Sequence, residues 1–193
     1  MPSDAGAALT PSGDVSRPQR IWMIGSMGAG KTAVGTRVAS QLQIPWYDND
    51  IELLVQSGRT AAELAAAGPH LHEQESAQLH RQVLHPPPFV AGVAAGVADR
   101  PDDLALLRRS GWVVYLRARL ETLLARVSQD PQRPWLDADP AAWLGAHLRS
   151  REPAYAGTAD VVLDVDDQSP GELAALVCAA LAGRGPSTSR SVP

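Results

Sequence analysis

The 193-residue chain has one cysteine and one phenylalanine, and among its seventeen lysines and arginines there is one lysine. One cysteine excludes a disulfide framework and fits a reducing compartment. That residue, Cys178, lies in the apolar stretch Leu173–Cys178, a setting that predicts a buried structural thiol rather than a reactive one. No apolar run approaches the ~20 residues of a membrane span, and the N-terminus lacks a charged start followed by an apolar core, so a soluble cytoplasmic protein is expected. An excess of basic charge is missing as well. A net charge of −4 gives no footprint for nucleic acid, and a small-molecule partner and a monomer are expected instead. Residues 1–18 and 183–193, rich in Ser, Pro, Gly and Ala, have little to bury and are expected to be disordered tails. Between them, residues 19–182 read as one domain, and 45% hydrophobic residues are ample for its core.

The single lysine, Lys31, stands inside Gly25-Ser26-Met27-Gly28-Ala29-Gly30-Lys31-Thr32, a complete G-x-x-x-x-G-K-[ST] loop. Arginine serves wherever else the chain carries positive charge, so a slender ammonium is wanted here. Ile21–Ile24 reads as a short buried strand, and Val34, Val38 and Leu42 follow at helical spacing, so the loop joins strand to helix. Glycines there let backbone N–H groups, including those of Gly28, Ala29 and Gly30, converge on phosphate oxygens at a helix N-terminus. Lys31 is then expected to reach the β- and γ-phosphates of a nucleoside triphosphate, and the Thr32 hydroxyl to ligate Mg²⁺.

Beyond the loop, strand patterns near 45–47, 89–93, 112–116 and 161–163 alternate with helical ones at 51–57, 61–67, 71–84, 102–110, 120–127, 141–151 and 171–181. Strands alternating with helices predict an α/β domain with a parallel sheet covered on both faces, binding ligands at the carboxyl ends of its strands. Pro86-Pro87-Pro88 reads as entry to a strand, with a proline-recognition motif the less favoured alternative. Asp48 and Asp50, two apart at the end of the second strand, are placed to face the same way toward the phosphate loop. One suits the hydration shell of Mg²⁺, the other accepts a proton from an attacking hydroxyl. The competing reading is that either merely caps the following helix. His70-x-His72-x-x-Glu75 does not form a metal-ligand cluster, because residues two apart on a helix diverge.

From about Ile21 to Leu181 the chain resembles the shikimate kinases. The resemblance is carried by the G-S-M-G-A-G-K-T loop, Asp48-x-Asp50, Ser57-Gly58-Arg59-Thr60, Gly111–Leu116, Arg133-Pro134-x-Leu136, Arg151-Glu152-Pro153-x-Tyr155 and Ala159-Asp160. It implies a three-layer P-loop kinase fold, a five-stranded parallel sheet with helices on both faces and a mobile lid at about 128–140. It also implies an ATP- and Mg²⁺-dependent transfer of the γ-phosphate to a hydroxyl of shikimate or a related carboxylated or cyclitol-like acceptor. Matched to the family's motifs, Asp48 is the magnesium-side carboxylate and Asp50 holds the acceptor hydroxyl. Arg133 in the lid segment binds ATP phosphates and stabilises the charge in transfer, a catalytic role. Arg126 and Pro170 fall at the adenine site, though a solvated helix arginine and a helix N1 proline are open alternatives. Arg151 matches an arginine that grips the substrate carboxylate.

Two segments depart from that pattern. Leu71-His72-Glu73-Gln74-Glu75 stands where the family has Phe-Arg-x-x-Glu, so His72, expected to be mostly neutral, replaces half of a carboxylate clamp. Val93-Ala94-Ala95-Gly96 replaces a Gly-Gly-Gly turn, with Gly96 kept and Gly92 as an upstream substitute; the alanines are expected to resist positive φ and reshape the pocket floor. The acceptor therefore stays open between shikimate and a relative, and a nucleotide-binding regulator without kinase activity is the second reading.

Overall fold

The computed structural model describes residues 20–68, 70–128 and 139–183; the expected tails (apart from Gly183), nearly all of the 128–140 segment, and Arg133 lie outside these residues. Five strands form one sheet: β1 (Arg20–Ile24), β2 (Trp46–Asp48), β3 (Phe89–Gly92), β4 (Trp112–Arg117) and β5 (Val161–Asp164). Their order is β2-β3-β1-β4-β5 and every pairing is parallel, with Trp22 beside Ala91 on one side and Val113 on the other. Helices α1 (Lys31–Leu42), α2 (Asn49–Ser57), α3 (Ala61–Ala67), α4 (Leu71–Gln82), α5 (Pro101–Ser110), α6 (Leu120–Val127), α7 (Pro140–Thr158) and α8 (Pro170–Ala182) complete the α/β architecture expected from the sequence.

A sheet covered on both faces needs central strands that are apolar on both sides, and β1 shows why the chain folds this way. Ile21 and Met23 join Val34 and Val38 of α1 and Leu173 and Val177 of α8 in one core. Trp22 and Ile24 point the other way, to Leu79 of α4, Leu107 of α5 and Tyr155 of α7. With β1 central and packed on both faces, the loop at its carboxyl end is fixed at the crevice where ligands of open α/β sheets bind.

Four local features differ from the sequence reading. The helix expected to stop at Arg151 continues through Pro153 to Thr158, because Arg151, Tyr155 and Thr158 are all buried and hold the turn that proline weakens. A 3₁₀ segment, Ala95–Asp99, follows β3. Gly92 is not a turn residue but the last residue of β3, where a Cβ would stand 2.9 Å from the Trp46 ring. Cys178 is half-buried rather than buried, and desolvation pushes its thiol pKa up.

Candidate active site

The loop after β1 depends on Gly25, whose φ of 142° and close approach to β4 leave no room for a side chain: a Cβ would lie 2.6 Å from the Leu116 carbonyl oxygen. Gly28 and Gly30 also take positive φ, 80° and 93°, and α1 then begins at Lys31 with no side-chain cap and no acid in its first turn. An α-helix N-terminus built this way offers its N–H groups and partial positive charge to an anion. Lys31 Nζ donates to the carbonyls of Gly25 at 2.8 Å and Ser26 at 3.2 Å, which holds the ammonium over the loop. Ala29 is buried beneath it. Arg126 of α6 is not a freely solvated arginine. Its guanidinium donates to the carbonyls of Gly28 (3.2 Å), Ala29 (3.4 Å) and Val165 (3.3 Å), bracing the loop against the chain leaving β5. Pro170 is the N1 residue of α8, behind a Ser169–Glu172 capping box.

Asp48 closes the other side of the loop. Its Oδ2 accepts from the Thr32 hydroxyl at 2.8 Å while Oδ1 accepts from the Asp50 N–H at 3.1 Å. The cap reading of Asp48 is therefore correct, and it coexists with a direct tie to the phosphate-loop threonine. Asp50 reaches the same cavity by a different route from the one expected: it belongs to the first turn of α2, not to an extended segment.

A cavity of about 590 Å³ gathers Lys31, Thr32, Asp48, Asp50, His72, Gly96 and Arg151 onto one wall system. Gly28 and Gly30 line it as well, and Trp143 and His147 of α7, with ring centroids 3.9 Å apart and planes tilted by 31°, flank it. On α4, His72 Nδ1 meets Glu75 Oε2 at 2.8 Å, whereas His70 pairs with Glu73 at 3.0 Å, so the two histidines take separate partners. The bond to Glu75 raises the His72 pKa against partial burial, so the ring holds its proton more firmly than the mostly neutral histidine expected. Gly96 lies against this pair. Ala94 has φ of −57° and Ala95 opens the 3₁₀ segment, so neither alanine meets the positive φ expected to trouble it.

Arg151 is only 7% exposed, and its Nε and Nη2 are held by both carboxylate oxygens of Asp99, at the end of the 3₁₀ segment. Tyr155, one turn further along α7, donates to the Ala95 carbonyl at 2.6 Å. Burial holds the Tyr155 phenol well above its ordinary pKa, so it remains a donor. Asp99 and Tyr155 were not legible as site residues, because each meets its partner across more than fifty positions of sequence with no spacing rule to mark it. Glu75 was missed as well, although its i+3 spacing from His72 on a helix is the signal that would have marked it.

The family model described as shikimate kinase matches residues 27–182. The chain belongs to the shikimate kinase family. Shikimate kinases of Pseudomonas savastanoi pv. phaseolicola and Cereibacter sphaeroides are 32% and 36% identical to it, each over 85% of this chain and over 96% and 83% of their own. That of Neisseria meningitidis serogroup C is 37% identical over 75% of this chain and 86% of its own. A shikimate kinase from Acinetobacter baumannii, solved in complex with shikimate, superimposes with a TM-score of 0.81 at 26% identity, covering 88% of this chain and 95% of that one. Deoxyadenosine kinase from M. mycoides, with a TM-score of 0.57 at 12% identity, shares the fold. As a shikimate kinase family member the chain is an ATP-dependent phosphotransferase with ATP and Mg²⁺ as cofactors. The uncapped α1 terminus and the Thr32–Asp48 pair fit those two groups. Among the described residues no helix is long and apolar enough to cross a membrane.

Proposed function

We propose that this kinase transfers the γ-phosphoryl group of ATP to a hydroxyl of shikimate or of a closely related hydroxylated ring. Lys31 and the loop N–H groups of Gly28, Ala29 and Gly30 hold the phosphates, with Arg126 bracing the loop and Pro170 on the adenine side. Thr32 and Asp48 hold Mg²⁺, which when bound neutralises charge on the phosphate oxygens. Asp50 orients the acceptor hydroxyl and takes its proton, while His72, Gly96 and Arg151 form the wall for the acceptor ring. The observation that carries this reading is the junction at Asp48. One carboxylate joins the phosphate-loop threonine to the first turn of the helix bearing Asp50, so donor and acceptor groups share one cavity. A monomer working in the cytoplasm without a nucleic-acid partner is proposed with it.

No observation favours the regulator without turnover. Mixing Mg-ATP with shikimate and a panel of hydroxy acids and cyclitols, and following ADP and phosphorylated product, separates the two. Product is expected from the wild type, and Lys31→Ala is expected to lower kcat by about 10²–10³-fold or more. ADP at background on every acceptor, with ATP still bound, would sink the kinase reading.

A further inference from the structure

We infer that His147 is a specificity-determining residue for the acceptor, its Nε2 taking a hydrogen bond from one hydroxyl of the acceptor ring; the inference rests on the kinase reading and deepens it. Trp143, His147, Arg151 and Tyr155 recur every four residues along α7, so they follow one another in a single stripe of that helix. The first three line the cavity, and the fourth is buried behind it. His147 is thus set one turn from Arg151 on the same wall. Asp50 enters the cavity from α2, at the β2 edge of the sheet, whereas α7 packs over the 3₁₀ segment and β4. A ring whose reacting hydroxyl is held at Asp50 therefore meets α7 as a second wall.

The imidazole is oriented by this chain alone. Its Nδ1 lies 2.8 Å from the Trp143 carbonyl oxygen. A carbonyl only accepts, so Nδ1 carries the proton and Nε2 of the neutral ring keeps its lone pair. The Trp143 ring lies against the imidazole, and Trp143 in turn packs on the core that holds Leu123 and Leu144. Tautomer and orientation are both set, and little side-chain freedom remains to be lost on binding. Nε2 has no partner among the described residues.

The chemistry of that atom names the group it takes. Lys31 and Arg151 bring N–H donors to the cavity, and donors suit phosphate oxygens and other anionic groups. An acceptor nitrogen offers nothing to an anion and bonds a hydroxyl instead. Asp50 serves the reacting hydroxyl, so a second hydroxyl of the same ring, once drawn out of water, needs another acceptor. His147 supplies one at a fixed place, and a ring with a hydroxyl there is preferred over one without it.

The probes for a test are shikimate and its three analogues that each lack one ring hydroxyl. Each is titrated calorimetrically into the full chain with Mg-ADP bound, for the wild type, for His147→Leu, which removes the acceptor atom, and for His147→Gln, whose Oε1 returns one at similar reach. His147→Leu is expected to bind shikimate about five- to tenfold more weakly than the wild type, and His147→Gln to stay within about threefold of it. For the analogue that lacks the hydroxyl taken by Nε2, the wild type and His147→Leu are expected to agree within about twofold, while the other two analogues keep the penalty. Mg-ADP affinity checks the fold of each variant, with His147→Ala replacing His147→Leu where it is lost. No binding of shikimate by the wild type, equal binding by His147→Leu, a loss shared by shikimate and all three analogues, or His147→Gln binding as weakly as His147→Leu each overturns the inference. ADP release from Mg-ATP is read separately. Turnover of shikimate with the same acceptor KM in the wild type and His147→Leu removes the inference and keeps the kinase, whereas absence of turnover on every acceptor removes the kinase itself.

Discussion

At Gly96 the missing side chain lets the backbone after β3 lie against the His72–Glu75 pair, where a Cβ would come within 2.3 Å of His72 Nδ1 and 2.8 Å of Glu75 Oε2. Gly96→Ala must push that pair aside, so it is expected to lower stability by about 1–3 kcal/mol and to raise the acceptor KM while leaving the ATP KM near its wild-type value. Thermal melts and initial rates check this, and an unchanged acceptor KM would remove the pair from the acceptor wall. The phosphate side of the site was legible in the sequence because its parts are neighbours: Gly25 to Thr32 form one loop, and Asp48 and Asp50 follow one strand. Asp99 was not legible, since an acid before Arg100-Pro101 reads as a solvated loop residue until the fold brings Arg151 to it. Nor did the sequence show that Asp48 would be cap and threonine partner at once, because a carboxylate's two oxygens are assigned only by what surrounds each.

The elements themselves followed from periodicity. Strand and helix patterns alternate cleanly where burial is strong, as in β1 and β4, and local signals failed where tertiary packing outweighed them. Pro153 reads as a helix stop, yet α7 passes through it because Tyr155 is fully buried two residues later. The 3₁₀ segment after β3 is likewise held from outside, by the Tyr155 hydroxyl on Ala95. Tyr155→Phe removes that donor and leaves a buried carbonyl unmet, so it is expected to cost about 1–3 kcal/mol and to weaken acceptor binding through loss of register between Asp99 and Arg151. Denaturant unfolding and acceptor titration measure the two effects; a variant as stable as the wild type would show that α7 does not depend on this contact.

For the molecule as a whole, the His72–Glu75 bond sets a pH dependence of stability. Because the folded chain holds the His72 proton more tightly than the unfolded chain, whose value is near 6.5, this contribution is complete below that value and is lost as pH rises through the higher folded one. The ring is close to half exposed, so the effect is modest. The difference in Tm between wild type and His72→Gln is therefore expected to be larger near about pH 5 than near about pH 9, and a difference that widens with rising pH would contradict the sign. The two cores on either side of the sheet keep Trp22 and Trp112 sealed from solvent, while Trp143 sits at the cavity in contact with the His147 ring. In optical terms the chain thus carries steady emitters in its interior and, among the described residues, one emitter beside a quenching imidazole where ligands arrive. Intrinsic fluorescence is therefore expected to follow acceptor binding without a label or a coupled enzyme.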